Sequence, residues 1–424
     1  MSFESFLSAQ SFFLWSTFAL AVILGVVVNK TNFCTMGAVS DLVNIGDAGR
    51  LRAWILAATV ALIGVTILEA LGRVDLSSTL PPYRGSEFQW GRYILGGLMF
   101  GIGMTFASGC GNKTLIRMGG GNIKSLFVFV VIAVIAYYMV DPFKELPATW
   151  YQSYFSPWLG AASISLNTPQ DLGSIVGNWF NVSAMTMRLV IGGLVALVSL
   201  RYIFRDADFR KSSDNILAGV VIGLIVMLAW YFTSTTSIAT DDGNVSLTQF
   251  YGEWDMNMDS VAGKPQNGST NLQAQSFTFI SPIGQMFGYV GSSLSSAFLT
   301  FGVVSVLGVI FGSFLWSIIT RSFRIEWFNS FKDFYMHIIG GVLMGFGGVL
   351  GLGCTVGQGI TGVSTLALGS FMVFASIVFG SALTMKIQYY QMVYEDEATF
   401  IKSLLSSLVD MKVLPSGMRQ LDAI

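Results

Sequence analysis

Nine apolar stretches, each near the length that crosses a bilayer, constrain this chain more than any other feature. They fall at about 11–28, 53–71, 93–108, 123–140, 185–203, 215–233, 296–320, 337–353 and 364–385. A helix needs about 20 apolar residues to span the hydrocarbon core. A lipid-exposed backbone must pair all its polar groups internally, so runs of this length are helical. Composition agrees: 53% of residues are hydrophobic and only 11% are charged, against about 25% charged in a soluble domain. The expected fold is an all-α polytopic membrane protein filling residues 1–424 as one domain. It has about nine transmembrane helices plus short re-entrant or broken helices. One such piece is expected near 277–291, around Pro282. The opening MSFESFLSAQSFFLW has no positive n-region and no small-residue cleavage site, so it reads as a retained first span.

Lysine and arginine set the orientation. With the N-terminus outside, the outer loops hold Arg73, Arg84, Arg92, Lys144 and Lys264. The other cations, Arg188 apart, fall on the inner side. Positive charge accumulates on the cytoplasmic side, so the N-terminus is expected outside and the C-terminus inside. The outer loops at about 141–184 and 241–275 are long, acidic and aromatic-rich, and read as interfacial packing and solvated chain. Glu69 and Arg188 lie near outer ends of spans and form no evident proton relay.

Several function classes are excluded. A net charge of -1 offers nothing to nucleic acid. Cys34, Cys110 and Cys354 are too dispersed for a disulfide framework, and no CxxC pair marks a zinc site. His337 is the single histidine, and no phosphate-loop string is present. No metal and no cofactor is expected.

An internal repeat lies within the spans. ILGGLMFGIGMTFASGC (94–110) overlays IIGGVLMGFGGVLGLGC (338–354) without a gap. Gly97/Gly101 and Gly341/Gly345 are GxxxG pairs that permit close helix packing. Packing alone does not explain why both runs end in Gly-Cys. The copies occupy the third and eighth spans, an odd number of crossings apart. They are therefore expected to run in opposite directions, as two pseudo-inverted repeats at about 11–140 and 215–385. Inverted repeats with broken helices near the midplane are a transporter signature.

Each cysteine falls at an expected helix break. A lone buried cysteine is usually a small hydrophobe; all three at breaks point to a pathway. Glycine-rich breaks free backbone N–H groups that bind anions. A neutral thiol is a soft, weak donor and acceptor suited to sulfur. The candidate pathway is Cys34, Cys110 and Cys354 with Gly109, Gly111, Asn112, Gly353, Thr355 and Gln358. Lys30, Lys113 and Arg117 would compensate a dianion's charge on the inner side.

The strings FCTMGAVSD (33–41), GGLMFGIGMTFASGCGNKTLIRMGGG (96–121) and GGVLMGFGGVLGLGCTVGQG (340–359) resemble the YeeE/YedE family of sulfur transporters. GLIVMLAW (223–230) and LGVIFGSF (307–314) are weaker family segments. The resemblance covers most of the spanning region. It implies a bacterial inner-membrane protein, not an enzyme, that takes up thiosulfate by non-covalent passage from thiol to thiol at positions 34, 110 and 354. It also implies a possible small cytoplasmic sulfur-carrier protein as partner, with membrane lipid around the spans. Where members often carry arginines before the first cysteine, this chain has Lys30 and Asn32; after the second, Ile116-Arg117 stands for an aromatic-arginine pair. A selenium species is a related substrate. Three other readings stay open: a soft-metal Cu(I) transporter, a membrane sulfurtransferase, and a structural subunit whose cysteines only pack.

Overall fold

The computed structural model describes residues 1–240, 243–254 and 271–422. Among these, nine helical stretches are long and apolar enough to cross a membrane. They are built from α1 (Phe6–Thr31) with α2 (Thr35–Asn44), α3 (Gly49–Ala70), α4 (Trp90–Phe106) with α5 (Gly111–Gly119) and α6 (Ile123–Val140). After a short α7 (Leu172–Phe180) follow α8 (Ala184–Phe204) and α9 (Ser213–Thr235). Next come the shorter α10 (Ile280–Gly291), then α11 (Phe301–Ile319), α12 (Phe331–Leu350), α13 (Leu368–Tyr394) and an amphipathic α14 (Phe400–Asp410).

Capping residues set several boundaries the hydropathy missed. Thr300 accepts from Val303 N–H, so α11 begins at 301 rather than 296. Ser330 accepts from Asp333 N–H, so α12 starts two turns before 337. The last span begins at 368, because Gly357–Gly362 forms a π-helical turn and Val363–Thr365 a 3-10 turn.

The two copies of the repeat pack on each other antiparallel. A Cβ on Gly103 would sit 2.7 Å from the Gly340 carbonyl oxygen, and one on Gly347 would sit 2.7 Å from that of Gly96. Backbones this close leave no room for a side chain, which accounts for the glycines inside α4 and α12.

The N-terminal face is covered by the loops. Residues 141–184 fold back in part, with Trp150 stacked on Tyr138 and Asp171 fully buried, while Tyr154, Trp158 and Trp179 stay exposed. The cause is charge. Asp171 accepts from Arg188 at 2.8 Å, while Arg188 and Arg84 both donate to Glu69, at 2.8 and 2.6 Å. A buried charge needs a partner, so the loop supplies one. Most of the second expected loop, including Lys264, lies outside the described residues. Its described end, residues 271–279, is extended chain running into α10, and Phe277 and Phe279 are fully buried. Pro282 sits in the first turn of α10, where a missing N–H costs no hydrogen bond. α8 presents Leu189, Val190, Leu194, Leu197 and Val198 outward, the composition of a lipid-facing helix.

Candidate functional site: three cysteine breaks between two cavities

Three spans break in the same way. α1 ends at Asn32 (φ 51°), α4 is followed by Ser108 (φ 56°), and α12 by Leu352 (φ 55°). The next N–H then reaches back five residues. Phe33 donates to Val28 at 3.2 Å, Gly109 to Met104 at 2.8 Å, and Gly353 to Gly348 at 2.8 Å. This is a Schellman-type end, with the left-handed residue reversing the chain. In each case the following residue is the cysteine. Its carbonyl opens a new helix, accepting from Ala38, Thr114 or Gln358 at 2.8 to 2.9 Å. Each cysteine is thus the N-cap, or stands in its place, with the free N–H groups of a first turn beside it.

The left-handed residue is not glycine in any of the three. An L-residue there costs roughly 1–2 kcal/mol. Leu352 carries that cost most plainly, with neither the Asn/Asp preference nor a glycine's freedom.

All three thiols are free and buried. Cys110 lies within electrostatic reach of both others and beside Thr355. Among the described residues no group of three His, Cys, Asp or Glu could hold a metal ion. Gly357 N–H donates to Cys354 Sγ at 3.4 Å.

Among the described residues ten buried side-chain polar atoms make no geometrically formed hydrogen bond, and five of them gather at these breaks. They are Thr35 Oγ1, Asn112 Oδ1, Thr278 Oγ1, Thr355 Oγ1 and Gln358 Oε1. Each such group costs about 1–3 kcal/mol in a dry core. They concentrate at the three cysteine breaks, where a polar group would satisfy them.

The breaks lie between two cavities. The first, about 520 Å³, is lined by chain ends of the N-terminal face, including Pro82, Arg92, Val140, Gln285 and Gly302, and reaches Gly353 next to Cys354. Arg92 donates to the last carbonyls of α12, those of Val349 and Leu350, and lies over the Tyr151 ring at 4.4 Å. The second, about 500 Å³, is lined by the opposite helix ends: Asn29, Asn32, Ser108, Lys113, Arg117, Lys124, Arg324 and His337 among others. There Lys124 and His337 share Asp333, whereas Lys113, Arg117 and Arg324 have no carboxylate partner among the described residues. Lys113 Nζ donates to Asn32 Oδ1. Lys30 is exposed and does not line this cavity.

The structure therefore brings together Cys34, Cys110, Cys354 and their flanking Gly109, Gly111, Asn112, Gly353, Thr355 and Gln358. It places Lys113 and Arg117 at the second cavity's mouth and leaves Lys30 apart. Sequence reading missed Thr35, Thr278 and the left-handed residues. The apolar run around Thr278 gave the one available signal, an expected re-entrant piece.

A multi-pass helical bundle with a cavity on each face and a waist between them has the build of a membrane transporter. Residues 30–383 match the family model described as sulphur transport, and the chain belongs to that family. It is 24% identical over 357 residues to the thiosulfate transporter TsuA of Escherichia coli (strain K12), covering 80% of this chain and 84% of that protein. It is 22% identical over 370 residues to the thiosulfate transporter TsuA of Spirochaeta thermophila, covering 86% and 96%.

Proposed function

We propose that this chain carries thiosulfate, or a closely related reduced-sulfur or selenium anion, across the bacterial inner membrane, with no covalent step. Its N-terminus is outside and its C-terminus in the cytoplasm, in keeping with the cation bias of its loops. The ion has a soft terminal sulfur and a hard, oxygen-bearing end. Neutral thiols meet the first, and N–H groups of helix first turns meet the second. The observation that carries this reading is the threefold break, which sets a thiol at the first turn of a new helix three times between two cavities.

The ion enters the first cavity, passes Cys354, Cys110 and Cys34 in turn, and leaves by the cavity holding Lys113 and Arg117. Passage is stepwise, from thiol to thiol. The segments 11–140 and 215–385 act as inverted copies around the waist, and a small cytoplasmic sulfur carrier receives the ion at the inner mouth. A transfer enzyme would need a base or cation to activate a thiol. Lys113, the nearest amine in sequence to Cys110, is engaged with Asn32.

The test is uptake of labelled thiosulfate by a transport-null cell carrying the chain or its Cys34→Ala, Cys110→Ala and Cys354→Ala variants. At least two of the three changes are expected to abolish uptake, and sulfate to compete poorly. Normal uptake in all three variants would overturn the path.

A further inference from the structure

Thr278 stands out within its own segment. Residues 271–279 thread the bundle between α9 and the turn that follows Cys354, and the polar groups around them are engaged. Gln275 N–H donates to Thr233 Oγ1 at 3.1 Å, and Thr233 Oγ1 to the Gln275 carbonyl at 2.8 Å. Ser276 Oγ donates to the Val226 carbonyl at 2.9 Å, and Thr361 Oγ1 to the Phe277 carbonyl at 2.7 Å. Thr278 alone in this set has a hydroxyl that makes no geometrically formed hydrogen bond, although the residue is only 6% exposed.

Thr278 lines the first cavity, and its hydroxyl lies against the Cys354 break. A Cβ on Gly353 would lie 3.2 Å from Thr278 Oγ1, and a Cβ on Gly357 would collide with it. Two glycines flanking Cys354 therefore leave the space this hydroxyl occupies. The hydroxyl has the Cys354 thiol as a polar neighbour, a weak partner, so its O–H can turn to a ligand oxygen when one arrives.

We propose that Thr278 is a substrate-binding residue that selects for the oxygen-bearing end of the anion. While the terminal sulfur faces Cys354, the Thr278 O–H donates to an oxygen on the other end. A species with sulfur but no oxygen gains nothing from it, so the residue separates sulfur oxyanions from plain sulfide. The inference rests on the transport reading above and adds the specificity of its entry side.

The test is Thr278→Val, which keeps the shape and removes the hydroxyl, beside Thr278→Ser, which keeps the hydroxyl. Purified protein is reconstituted into liposomes, and initial uptake of labelled thiosulfate is measured over a concentration series. Thermal unfolding is followed in detergent. Losing a donor to a charged ligand costs about ten- to a hundredfold. Thr278→Val should therefore lose uptake by that factor at low substrate, chiefly through a raised KM, while Thr278→Ser stays within about twofold. The hydroxyl has only the weak Cys354 thiol as a partner in the fold, so Thr278→Val should unfold close to the wild-type temperature. Wild-type-like uptake by Thr278→Val overturns the inference alone. So does an equal loss in both variants with lowered unfolding temperatures, which marks a packing role. A wild-type chain that moves no thiosulfate overturns the transport reading, and this inference with it.

Discussion

The two faces of the bundle treat buried charge in opposite ways. Under the N-terminal face, Glu69, Arg84, Asp171 and Arg188 form a closed set in which every charge has a counter-charge. Asp171 accepts further from Ser174 N–H and Oγ, and Arg84 Nε reaches the Thr365 carbonyl. At the other face, Lys113 and Arg117 border an open cavity whose one lining carboxylate, Glu326, accepts from Asn122 rather than from either cation. The paired set has no charge left for a cargo. It ties the 355–365 segment, which carries one wall of the Cys354 break, to α3 and α8. Lys113 donates to Asn32 at the Cys34 break, but no carboxylate neutralises either cation among the described residues, so both keep their charge for a passing anion.

The largest effect should come from opening the closed set. Asp171→Asn leaves Arg188 and Arg84 facing each other across one carboxylate instead of two. Breaking a buried pair by removing one partner costs about 3–5 kcal/mol. Thermal unfolding in detergent should drop sharply, with low yield of folded protein. Arg188→Met together with Asp171→Leu should recover much of the loss, because an apolar pair needs no counter-charge. An Asp171→Asn protein as stable as wild type would show that the set is not closed.

A middle effect is expected at the other face. Lys113→Gln and Arg117→Gln remove charges that no carboxylate balances among the described residues, and at position 113 the glutamine amide can still reach Asn32, so the unfolding temperature should stay within a few degrees. Uptake of the dianion should fall by roughly tenfold per charge at low salt, about 1.4 kcal/mol, and by less at high salt, where the field is screened. A fall in stability with unchanged uptake would reverse the contrast between the faces.

This contrast was only partly legible in the sequence. The spans were, because a membrane helix shows itself as an uninterrupted apolar run. So were the breaks at Cys34, Cys110 and Cys354. Their cause was not. Glycine looked like the element that ends each helix, yet the chain reverses at Asn32, Ser108 and Leu352. The Cys34 break has no glycine before it and still has the same form, so the shared device is backbone geometry rather than composition. Glu69 and Arg188 looked like isolated charges because their partners, Arg84 and Asp171, are distant in sequence. Thr278 was hidden for the same reason: its lack of a strong partner appears only once the segment is threaded into the bundle.

The smallest effect tests whether paired charge can be purely local. Beyond the last span, Asp410 accepts from Tyr390 Oη at 2.9 Å and pairs with Arg419 and, at 3.3 Å, Lys386, docking α14 and the tail against α13. Burial alone would raise the Asp410 carboxyl. The hydrogen bonds from Arg419 and Tyr390, with Lys386 nearby, outweigh it and hold the group below the usual carboxylate range. A depressed carboxyl contributes stability that is complete above its unfolded value, about 3.9, and is lost as pH falls through the folded one. Hydrogen exchange of residues 400–422 should therefore be flat from pH 7 to 5, after correction for the intrinsic rate, and rise only below about pH 4. Asp410→Asn should raise it at neutral pH while thiosulfate uptake stays unchanged. Loosening of the tail already between pH 7 and 5, or lost uptake in Asp410→Asn, would mean that this charge set is coupled to the path as the one around Asp171 is.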